Sequence, residues 1–551
     1  MKSKLKFKER HFLILLATAV FAFSSLIYEL VFSTLFSFIF GNTIEMYSLV
    51  IGFYLFALGI GSFLFSFFPK NKEKTLINYL MFVELAIIIV SILGFLVVIA
   101  NYGLISDFLV KLIGFFFVIV IGILSGIELP LLNEIYEKTK KERGFSKVLS
   151  VDYFGSLIAG VSFPLILYPN LGIFGTLIFT LSLNMIMTLL LVSVFLEKEK
   201  IRKIILLFLF LILFFLLLQY KKVQFYLIKV LIEKMAKLDM DYFAFKKAFE
   251  DLSIEVKSIM FSKYQIIYKY KMVFGNKSVY CLGLNGVTQT CSHNYLAHHY
   301  SYILPEKLFN ISYNGKKALI LGGGDGITAK FLLEKNLSKI RQIELDEKVV
   351  KFSSQDLELR LLNLNSFKRI NITFGDAFLE LQRLNETFDL ILDDIDISTW
   401  ENKIKFTSLE FYSLVSSKLK DDGIFITTSL NLKPYFPIDK KTYTLLNNLY
   451  KAGFKYVLYF KVSYIAYKNN NYYIIPYEDG LIVTKKKFKV NQIPFEVFKG
   501  TVIRIDIKDN ETISIKDILD FYNHFYLKFN PTFLKREYSS ILYPDYSLLK
   551  I

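Results

Sequence analysis

The first 220 residues consist largely of apolar segments, and these constrain the possible fold more than any other feature. Each approaches the roughly 20 residues that a helix needs to cross a bilayer. They raise the hydrophobic content to 54% and the mean hydropathy to +0.42, which is too high for a soluble enzyme of this length. The sequence therefore predicts about seven membrane spans, at about 12–34, 46–68, 77–100, 105–133, 148–168, 172–196 and 204–219.

Basic residues mark one side of these segments. Cytoplasmic loops carry an excess of Lys and Arg, so the basic stretches predict a cytoplasmic N-terminus and six alternating crossings. A seventh crossing by Ile204–Leu218 would place everything after Gln219 outside, and Lys221 and Lys222 argue against that. We therefore expect this segment to be re-entrant or interfacial, or one earlier span to be miscounted. The basic stretches are Met1–Arg10, Lys70–Lys74, Lys138–Lys147 and Lys198–Lys203.

The net charge of +17 predicts a lipid partner rather than a nucleic acid. Many basic residues lie in short clusters between apolar segments, and no nucleic-acid recognition motif accompanies them.

Three carboxylates lie within the predicted spans, at Glu29, Glu128 and Asp152. A charge there costs at least about 2.5 kcal/mol, so each needs a polar partner or a cavity. They indicate either a binding or translocation path for a cation such as a polyamine, or side chains near an interface or bonded to a neighbouring helix.

A connector and a small β unit are predicted after the spans. Phe225–Phe261 has the pattern of one or two amphipathic helices at the membrane surface. In residues 264–286 apolar and polar residues tend to alternate, with turns at Gly275–Asn276 and Asn285–Gly286. This pattern predicts an antiparallel hairpin.

The cysteines and paired histidines predict no metal site. Cys281 and Cys291 are interpreted as two buried thiols, because two cysteines establish neither a disulfide framework nor a metal centre. His298 and His299 are adjacent on a predicted helix, so their side chains should point about 100° apart and bind no common ion.

The following residues alternate strand and helix patterns, which predicts a doubly wound α/β domain. Lys317–Ser353 contains an apolar strand, a turn of four glycines around one acid, a helix and a second strand ending in an acid. That order is typical of a nucleotide-binding crevice. Strands are expected at 317–321, 340–344, 370–374, 388–393 and 423–429.

Acids follow four successive predicted strands, at Asp325, Glu344, Asp376 and Asp394. The C-terminal ends of such strands converge on one crevice. Any one acid could cap a helix, Asp376 especially, but four at successive strand ends are hard to explain as caps. An acid inside the glycine loop would repel a pyrophosphate, so the crevice favours a cationic adenosyl donor and a cationic acceptor over NAD or ATP.

Short motifs of residues 260–485 occur in an order that identifies a family. They resemble those of spermidine synthases (polyamine aminopropyltransferases), and LIYELV at Leu26–Val31 resembles the first span of the membrane-fused branch. The motifs are SKYQII at 262–267, LGLNGVTQ at 282–289, LGGGDG at 321–326, IELD at 343–346, FGDA at 374–377, FDLILDD at 388–394, TSLEFY at 407–412 and DDGIFITT at 421–428.

The resemblance implies a donor site for decarboxylated S-adenosylmethionine, a co-substrate that requires no further cofactor. By matched position, Asp325 would hold the propylammonium group, Glu344 the ribose and Asp376 the adenine amino group. The other implied donor-site residues are Gly322, Gly324, Gly326, Ala377 and Gln289.

The resemblance also implies an acceptor site for a polyamine such as putrescine. Asp394 would orient and deprotonate the attacking amine, His299 and Asp396 would contact the acceptor, and Tyr477 would close its channel. The chain departs from the family here. The usual Asp-x-x-Asp-Pro places Ile397 where a second acid is expected, with Asp396 one position early.

Two other functions remain open from the sequence. One is a polyamine or nucleoside transporter or sensor whose synthase-like domain binds its ligand without catalysing a reaction. The other is an S-adenosylmethionine-dependent methyltransferase, against which the acid in the glycine loop argues.

The predicted architecture is a multi-pass cell-membrane protein with a cytoplasmic catalytic half. Most of Phe495–Phe533 is expected to form helices that pack on the sheet or on a neighbouring subunit of a homo-oligomer. The domains are 1–220 transmembrane, 221–260 connector, 261–310 small β unit, 311–490 Rossmann-like (class I methyltransferase-like) and 491–551 helical extension.

Overall fold

The computed structural model divides into two compact units. Unit 1 comprises Met1–Lys277 and Leu284–Val287, and unit 2 comprises Ser278–Gly283 and Thr288–Ile551. The boundary therefore falls inside the predicted β unit. The structure describes residues 2–41, 43–69, 72–140, 144–196, 199–240, 253–274, 277–292, 295–395, 400–428, 440–468, 471–491, 495–498, 501–507, 509 and 511–520.

All seven apolar segments form helices. They contain six helices long and apolar enough to cross a membrane, because α5 and α6 join through a π-helical turn at Phe163–Leu167. The helices are α1 (Lys2–Phe40), α2 (Thr43–Phe65), α3 (Glu73–Asn101), α4 (Asp107–Lys140), α5 (Phe145–Ser162), α6 (Tyr168–Phe195) and α7 (Lys200–Leu218).

The joined helices α5 and α6 run in opposite directions. Gly155 and Gly160 of α5 approach Ala19 and Leu26 of α1 in the same order along both helices, so α5 is parallel to α1. The reversal occurs near Gly172, whose φ of +69° lies in the left-handed region. Two of the predicted spans thus correspond to this one long kinked element.

Helix α6 returns antiparallel to α1. Ser24 donates a hydrogen bond to Asn184 at 2.5 Å, whereas Arg10 donates to the carbonyl of Val194 at 3.3 Å. The residue numbers rise on one helix as they fall on the other.

Helix α7 runs the length of α6 in the opposite direction. Lys203 donates to the carbonyl of Ser193 at 3.4 Å near the start of α7, and Tyr220, just past its end, donates to that of Asn170 at 3.4 Å. Helix α7 therefore extends from one end of the unit to the other, and the expectation of a re-entrant or interfacial segment, or of one miscounted earlier span, stays a prediction.

Only part of the predicted amphipathic connector is helical. Helix α8 spans Tyr220–Met240, but Ser253–Phe261 forms strand β1. Ile254 and Val256 are buried and their neighbours Ser253 and Glu255 are exposed, which is a strand period rather than a helical one.

Four strands form the small sheet, in the order β1-β2-β3-β4. The predicted turn at Asn285–Gly286 is confirmed, with positive φ angles of 46° and 88°. The turn predicted at Gly275–Asn276 lies outside the described residues. The other strands are β2 (Ile266–Phe274), β3 (Lys277–Leu284) and β4 (Val287–Cys291).

Cys281 and Cys291 form a disulfide, so the prediction of two thiols is wrong. The N–H of Ser292 donates to the carbonyl of Tyr280 at 2.8 Å, and this pairing places the two buried cysteines opposite each other, with their Cα atoms 4.0 Å apart. The disulfide could have been predicted from the sequence, because the two cysteines flank a predicted hairpin turn.

Unit 2 contains the predicted doubly wound sheet, and the five predicted strands are confirmed. The parallel core has the order β9-β8-β5-β6-β7. These strands are β5 (Lys317–Gly322), β6 (Lys339–Glu344), β7 (Asn371–Phe374), β8 (Phe388–Asp394) and β9 (Leu419–Thr428).

Helices accompany these strands, and both faces of the sheet are buried. Ala318 and Ile320 of β5 pack into one hydrophobic cluster, and Leu319 and Leu321 pack into another. The helices are α9 (Tyr295–Leu308), α10 (Ile327–Leu333), α11 (Glu347–Gln355), α12 (Leu357–Asn363), α13 (Ala377–Arg383), α14 (Trp400–Phe406), α15 (Leu409–Lys418) and α16 (Lys440–Lys451).

The predicted C-terminal helical extension is wrong where the structure describes it. Antiparallel strands extend the sheet beyond β9, because the long strand β10 offers a free edge to which later residues pair. Residues 515–520 are helical, and 521–551 lie outside the described residues. The strands are β10 (Tyr456–Lys468), β11 (Asn471–Thr484), β12 (Phe495–Phe498), β13 (Thr501–Asp506) and β14 (Ile513–Ser514).

Candidate active site

The glycine loop lies at the point where the strand order of unit 2 reverses. The chain proceeds from β5 outward through β6 and β7, then crosses to β8 on the other side of β5. Ligands of doubly wound sheets bind at this position. Gly322 has a φ of +83°, and a Cβ there would lie 2.2 Å from the carbonyl oxygen of Asp394, so the loop and the end of β8 are in close contact.

A buried glutamine fixes the loop, and the sequence analysis missed it. Gln342 of β6 is fully buried and donates to the carbonyls of Gly322 and Gly323 at 2.7 and 2.8 Å. The available signal was a polar residue in an otherwise apolar strand. Because a buried amide needs hydrogen-bond partners, Gln342 orients the loop.

Glu344 lies beside the loop, as predicted. One carboxyl oxygen accepts from the N–H of Asp346 at 2.9 Å, and the other lies 3.0 Å from the Cβ position of Gly324. Burial raises the pKa of Glu344 to about 7, although backbone N–H groups oppose this shift. The carboxyl group therefore titrates near neutral pH.

Asp376 caps a helix, which was the alternative considered for it. Its side chain accepts from the N–H groups of Phe378 and Leu379 at 3.0 and 3.3 Å at the start of α13, and its other oxygen pairs with Lys405. Ala377 follows it and is buried. An adenine-binding role for Asp376 stays a prediction.

Asp394 is held by two side chains at the end of β8. His298 lies with Nε2 at 3.1 Å from Oδ1, and Thr328 donates to Oδ2 at 2.7 Å. Burial favours the neutral acid, but His298 and the other donors lower the pKa of Asp394 to about 2. Asp394 is therefore a carboxylate at physiological pH, and His298 Nε2 must carry the proton it donates.

Hydrogen bonds link Asp394 through Thr328 to His299, whose ring lies beside Asp325. Because the Thr328 hydroxyl donates to Asp394, it must accept from Nδ1 of His299, 2.8 Å away. The Nε2 atom of His299 lies 3.4 Å from Asp325, whose Oδ1 accepts from the N–H of Ile327 at 2.9 Å. Neither Thr328 nor His298 was predicted from the sequence to have a functional role.

The neighbouring acid Asp393 belongs to the core rather than the site. Its Oδ2 accepts from Thr427 at 3.1 Å, and burial raises its pKa to about 7. The pKa values of these two adjacent carboxyls thus shift in opposite directions, because both accept from a threonine but only Asp394 also accepts from a histidine.

The prediction that the side chains of His298 and His299 point too far apart to bind a common ion is wrong. One ligand atom each from His298, His299 and Asp394 lies within 4.8 Å of the others, because the two rings pack edge to face rather than diverge. The absence of a metal ligand among the functional residues stays a prediction.

The remaining predicted residues lie outside this network or outside the described structure. Gln289 is half-buried on β4. Tyr477 is the extra residue of a register shift in β11, opposite Val462 and Ser463 of β10. Asp396 lies outside the described residues. Their donor or acceptor roles stay predictions.

A separate polar cluster lies between the helices of unit 1. Asn184 of α6 donates to Glu84 of α3 at 2.9 Å and to the hydroxyl of Tyr28 at 3.1 Å. Glu128 of α4 lies beside Glu84, and each has a buried oxygen with no hydrogen-bond partner among the described residues. Glu84 was not predicted from the sequence. Of the predicted acids, Glu29 is also buried and Asp152 is half-buried.

Comparison with known proteins identifies a single family. Residues 291–483 match the spermine/spermidine synthase domain. The chain is 32% identical over 394 residues to the polyamine aminopropyltransferase of Leptospira interrogans, covering 71% of this chain and 73% of the relative. It is 30% identical over 442 residues to polyamine aminopropyltransferase 2 of Aquifex aeolicus, covering 78% and 81%. Spermidine synthase from Thermotoga maritima aligns with 21% identity and a TM-score of 0.29, over 42% of this chain and 72% of that one.

Proposed function

The chain belongs to the polyamine aminopropyltransferase family and is an enzyme of that kind, and we propose that it makes spermidine at a membrane by transferring an aminopropyl group to putrescine. The family's donor is decarboxylated S-adenosylmethionine. One observation carries the proposal: Asp394 is an ionised, doubly hydrogen-bonded carboxylate against a glycine loop that itself contains Asp325.

The donor would bind along the ends of β5, β6 and β7. Asp325 would attract the propylammonium group, and Glu344 would accept from the ribose hydroxyls, as its position beside Gly324 supports. Asp376 would accept from the adenine amino group while continuing to cap α13. Gln289 would border the propyl chain.

The acceptor amine would attack the propyl carbon next to the sulfonium. The new C–N bond forms as the C–S bond breaks, and the leaving group departs as a neutral thioether that needs no acid. The attacking nitrogen must first lose a proton. The residues therefore align two substrates and keep one amine neutral.

We propose that His298 accepts the proton that the attacking amine loses and that Asp394 positions the amine. A carboxylate with a pKa of about 2 is a weak base, but it accepts N–H groups well and stabilises an adjacent imidazolium. Because the Nε2–H of His298 is directed at Asp394, the basic atom of the neutral ring is Nδ1. His299, Asp396 and Tyr477 would contact the rest of the acceptor.

Product analysis of the full-length protein tests the assignment. The protein in nanodiscs is incubated with decarboxylated S-adenosylmethionine and, in separate reactions, putrescine, agmatine, cadaverine or spermidine. Spermidine and the thioether are expected from putrescine. A methylated amine from S-adenosylmethionine would favour the methyltransferase alternative, and donor binding without product from any acceptor would contradict the proposal.

Donor affinity is expected to rise with pH through the titration of Glu344. Ribose hydroxyls donate best to the carboxylate, so with a pKa of about 7 the apparent Kd should be about 10-fold higher at pH 6 than at pH 8. Calorimetric titration of the donor at both pH values measures this ratio. Glu344→Gln should abolish the pH dependence.

Asp393→Asn is the matched control for that measurement, because Asp393 also has a pKa of about 7 but lies in the core. It should retain the 10-fold ratio. If Asp393→Asn lost the 10-fold ratio and Glu344→Gln retained it, the pH dependence would come from Asp393 rather than from Glu344.

The helical unit would lie in the bilayer. Helix α7 leaves large apolar side chains exposed, including Ile204 (65%), Phe208 (63%) and Phe215 (62%), and a lipid environment would cover them. The cluster of Glu84, Glu128 and Asn184 supports a second function, the binding of an amine cation within the helices, because its two unpartnered oxygens need a proton or a cation.

Uptake by proteoliposomes tests this second function. Labelled putrescine is expected to enter vesicles that contain the protein, and Glu84→Gln should lower the rate at least about fivefold by removing the buried charge. Glu134→Gln is the control, since Glu134 forms an ion pair with Lys138 outside the cluster. Uptake no faster than in protein-free vesicles would exclude the function.

A further inference from the structure

The helices of unit 1 alternate in direction from the first to the last. Helix α2 is antiparallel to α1, because Thr34 bonds to Tyr47 at 2.7 Å while Ser25 bonds to Tyr54 at 3.0 Å. The same alternation continues through the next helices.

Helix α3 is antiparallel to both α4 and α6. Glu73 at the start of α3 accepts from Thr139 at the end of α4 at 2.9 Å, and Gly94 lies against Phe117. The ring of Phe95 lies 5.7 Å from that of Phe174 at the start of α6. Helices α5, α6 and α7 continue the alternation, so the chain passes along the unit seven times. Lys2 and Leu218 therefore lie at opposite ends of the unit.

Helix α8 remains at the end where α7 finishes. Gln224 accepts from the N–H of Phe174 at 3.0 Å, at the start of α6. Lys234 donates to the carbonyls of Ile99 and Ala100 at 3.2 and 2.6 Å, at the end of α3. The chain therefore leaves the helices at the end opposite its N-terminus.

The two ends differ sharply in charge. The described residues of all four basic stretches lie at the N-terminal end, at the start of α1 and where α2 meets α3, α4 meets α5 and α6 meets α7. The loops between helices at the other end contain no Lys or Arg, although Lys111 lies near that end and Lys221, Lys222 and Lys234 lie on α8, which packs there. By the distribution of Lys and Arg in membrane proteins, the N-terminal end faces the cytoplasm.

We infer that unit 2 lies on the non-cytoplasmic side of the membrane. After Leu218 the sequence contains no further apolar segment long enough to return the chain. The Cys281–Cys291 disulfide supports the inference independently, because disulfides persist in oxidising compartments and are rare in the cytosol. The expectation of a cytoplasmic catalytic half assumed that α7 did not cross.

This location determines where substrates are used, a consequence that rests on the proposed function. Aminopropyl transfer would occur outside the cytoplasm, on amines present there. The donor, made by decarboxylation of S-adenosylmethionine, would have to reach that side. The location itself is independent of activity and is tested without it.

Thiol labelling of the full chain in spheroplasts tests the location. Two exposed serines provide matched positions: Ser146 at the basic end of α5 and Ser417 on α15 of unit 2. Each is replaced by cysteine, and a membrane-impermeant maleimide is added before or after lysis. The native cysteines are paired and should react only after reduction.

We expect the maleimide to label Ser417→Cys equally before and after lysis. Labelling of Ser146→Cys should increase at least about 10-fold upon lysis. An equal increase in labelling upon lysis for the two variants, or a larger increase for Ser417→Cys, would overturn the inference. A C-terminal alkaline phosphatase fusion, which is active only outside the cytoplasm, provides a second readout and should be active. An inactive, intact fusion would also contradict the inference.

Discussion

Asp394→Asn is expected to lower kcat for aminopropyl transfer by about 1,000-fold while changing donor affinity less than about threefold. The variant removes the charge that would hold the attacking amine and the imidazolium of His298. Loss of a positioned acid–base unit costs about 100- to 10,000-fold. Single-turnover kinetics with saturating donor measure the effect, and titration of the donor measures affinity.

Asp393→Asn is the matched control, one residue earlier on the same strand. Its carboxyl lies in the core with a pKa of about 7, so an amide resembles its neutral form. We expect kcat within about threefold of that of the unaltered protein. An Asp394→Asn enzyme that retains a tenth of the original kcat would exclude a catalytic role.

His298→Gln separates positioning from proton transfer. Gln can still donate to Asp394 but cannot accept a proton, so kcat should fall about 100-fold. The acidic limb of the kcat profile should also disappear. A profile with an unchanged acidic limb would show that another group takes the proton.

Local sequence signals predicted the parts of the fold that local chemistry determines. The strands around Leu319 and Ile391 are short apolar runs with glycine or acid at their ends, and the structure confirms them. Strand β1 was missed because its alternation, with Ile254 and Val256 buried, follows an amphipathic helix that suggested continuation. Strands after 490 were missed because their pairing partner, β10, is distant in sequence.

The site was predictable to the extent that it lies at strand ends. Asp394, Glu344 and Asp325 follow that rule, and the structure places them around the glycine loop. His298 and Thr328 come from helices before and after β5, and their hydrogen bonds to Asp394 depend on tertiary packing. Asp376 shows the limit of the rule, since a strand-end acid can also cap the next helix.

Asp325→Asn is expected to abolish the preference for the decarboxylated donor. At an effective dielectric constant of about 20, an ammonium about 4 Å from a carboxylate gains roughly 4 kcal/mol, and desolvation offsets part of this. We expect the decarboxylated donor to bind about 100-fold more weakly, or about 2.7 kcal/mol. S-adenosylmethionine, whose own carboxylate Asp325 repels, should bind equally well or better. Calorimetry with both compounds measures the change.

Asp325→Asn removes only the negative charge, because the hydrogen bond that holds the glycine loop can still form. The amide oxygen of Asn can still accept from the N–H of Ile327, as Asp325 Oδ1 does. Asp356→Asn is the control: Asp356 caps α12 through the N–H of Leu359, so the same charge is removed away from the glycine loop. Its effect on either donor should be less than twofold. If Asp325→Asn kept more than a 10-fold preference for the decarboxylated donor, selectivity would have to come from the shape of the crevice rather than from its charge.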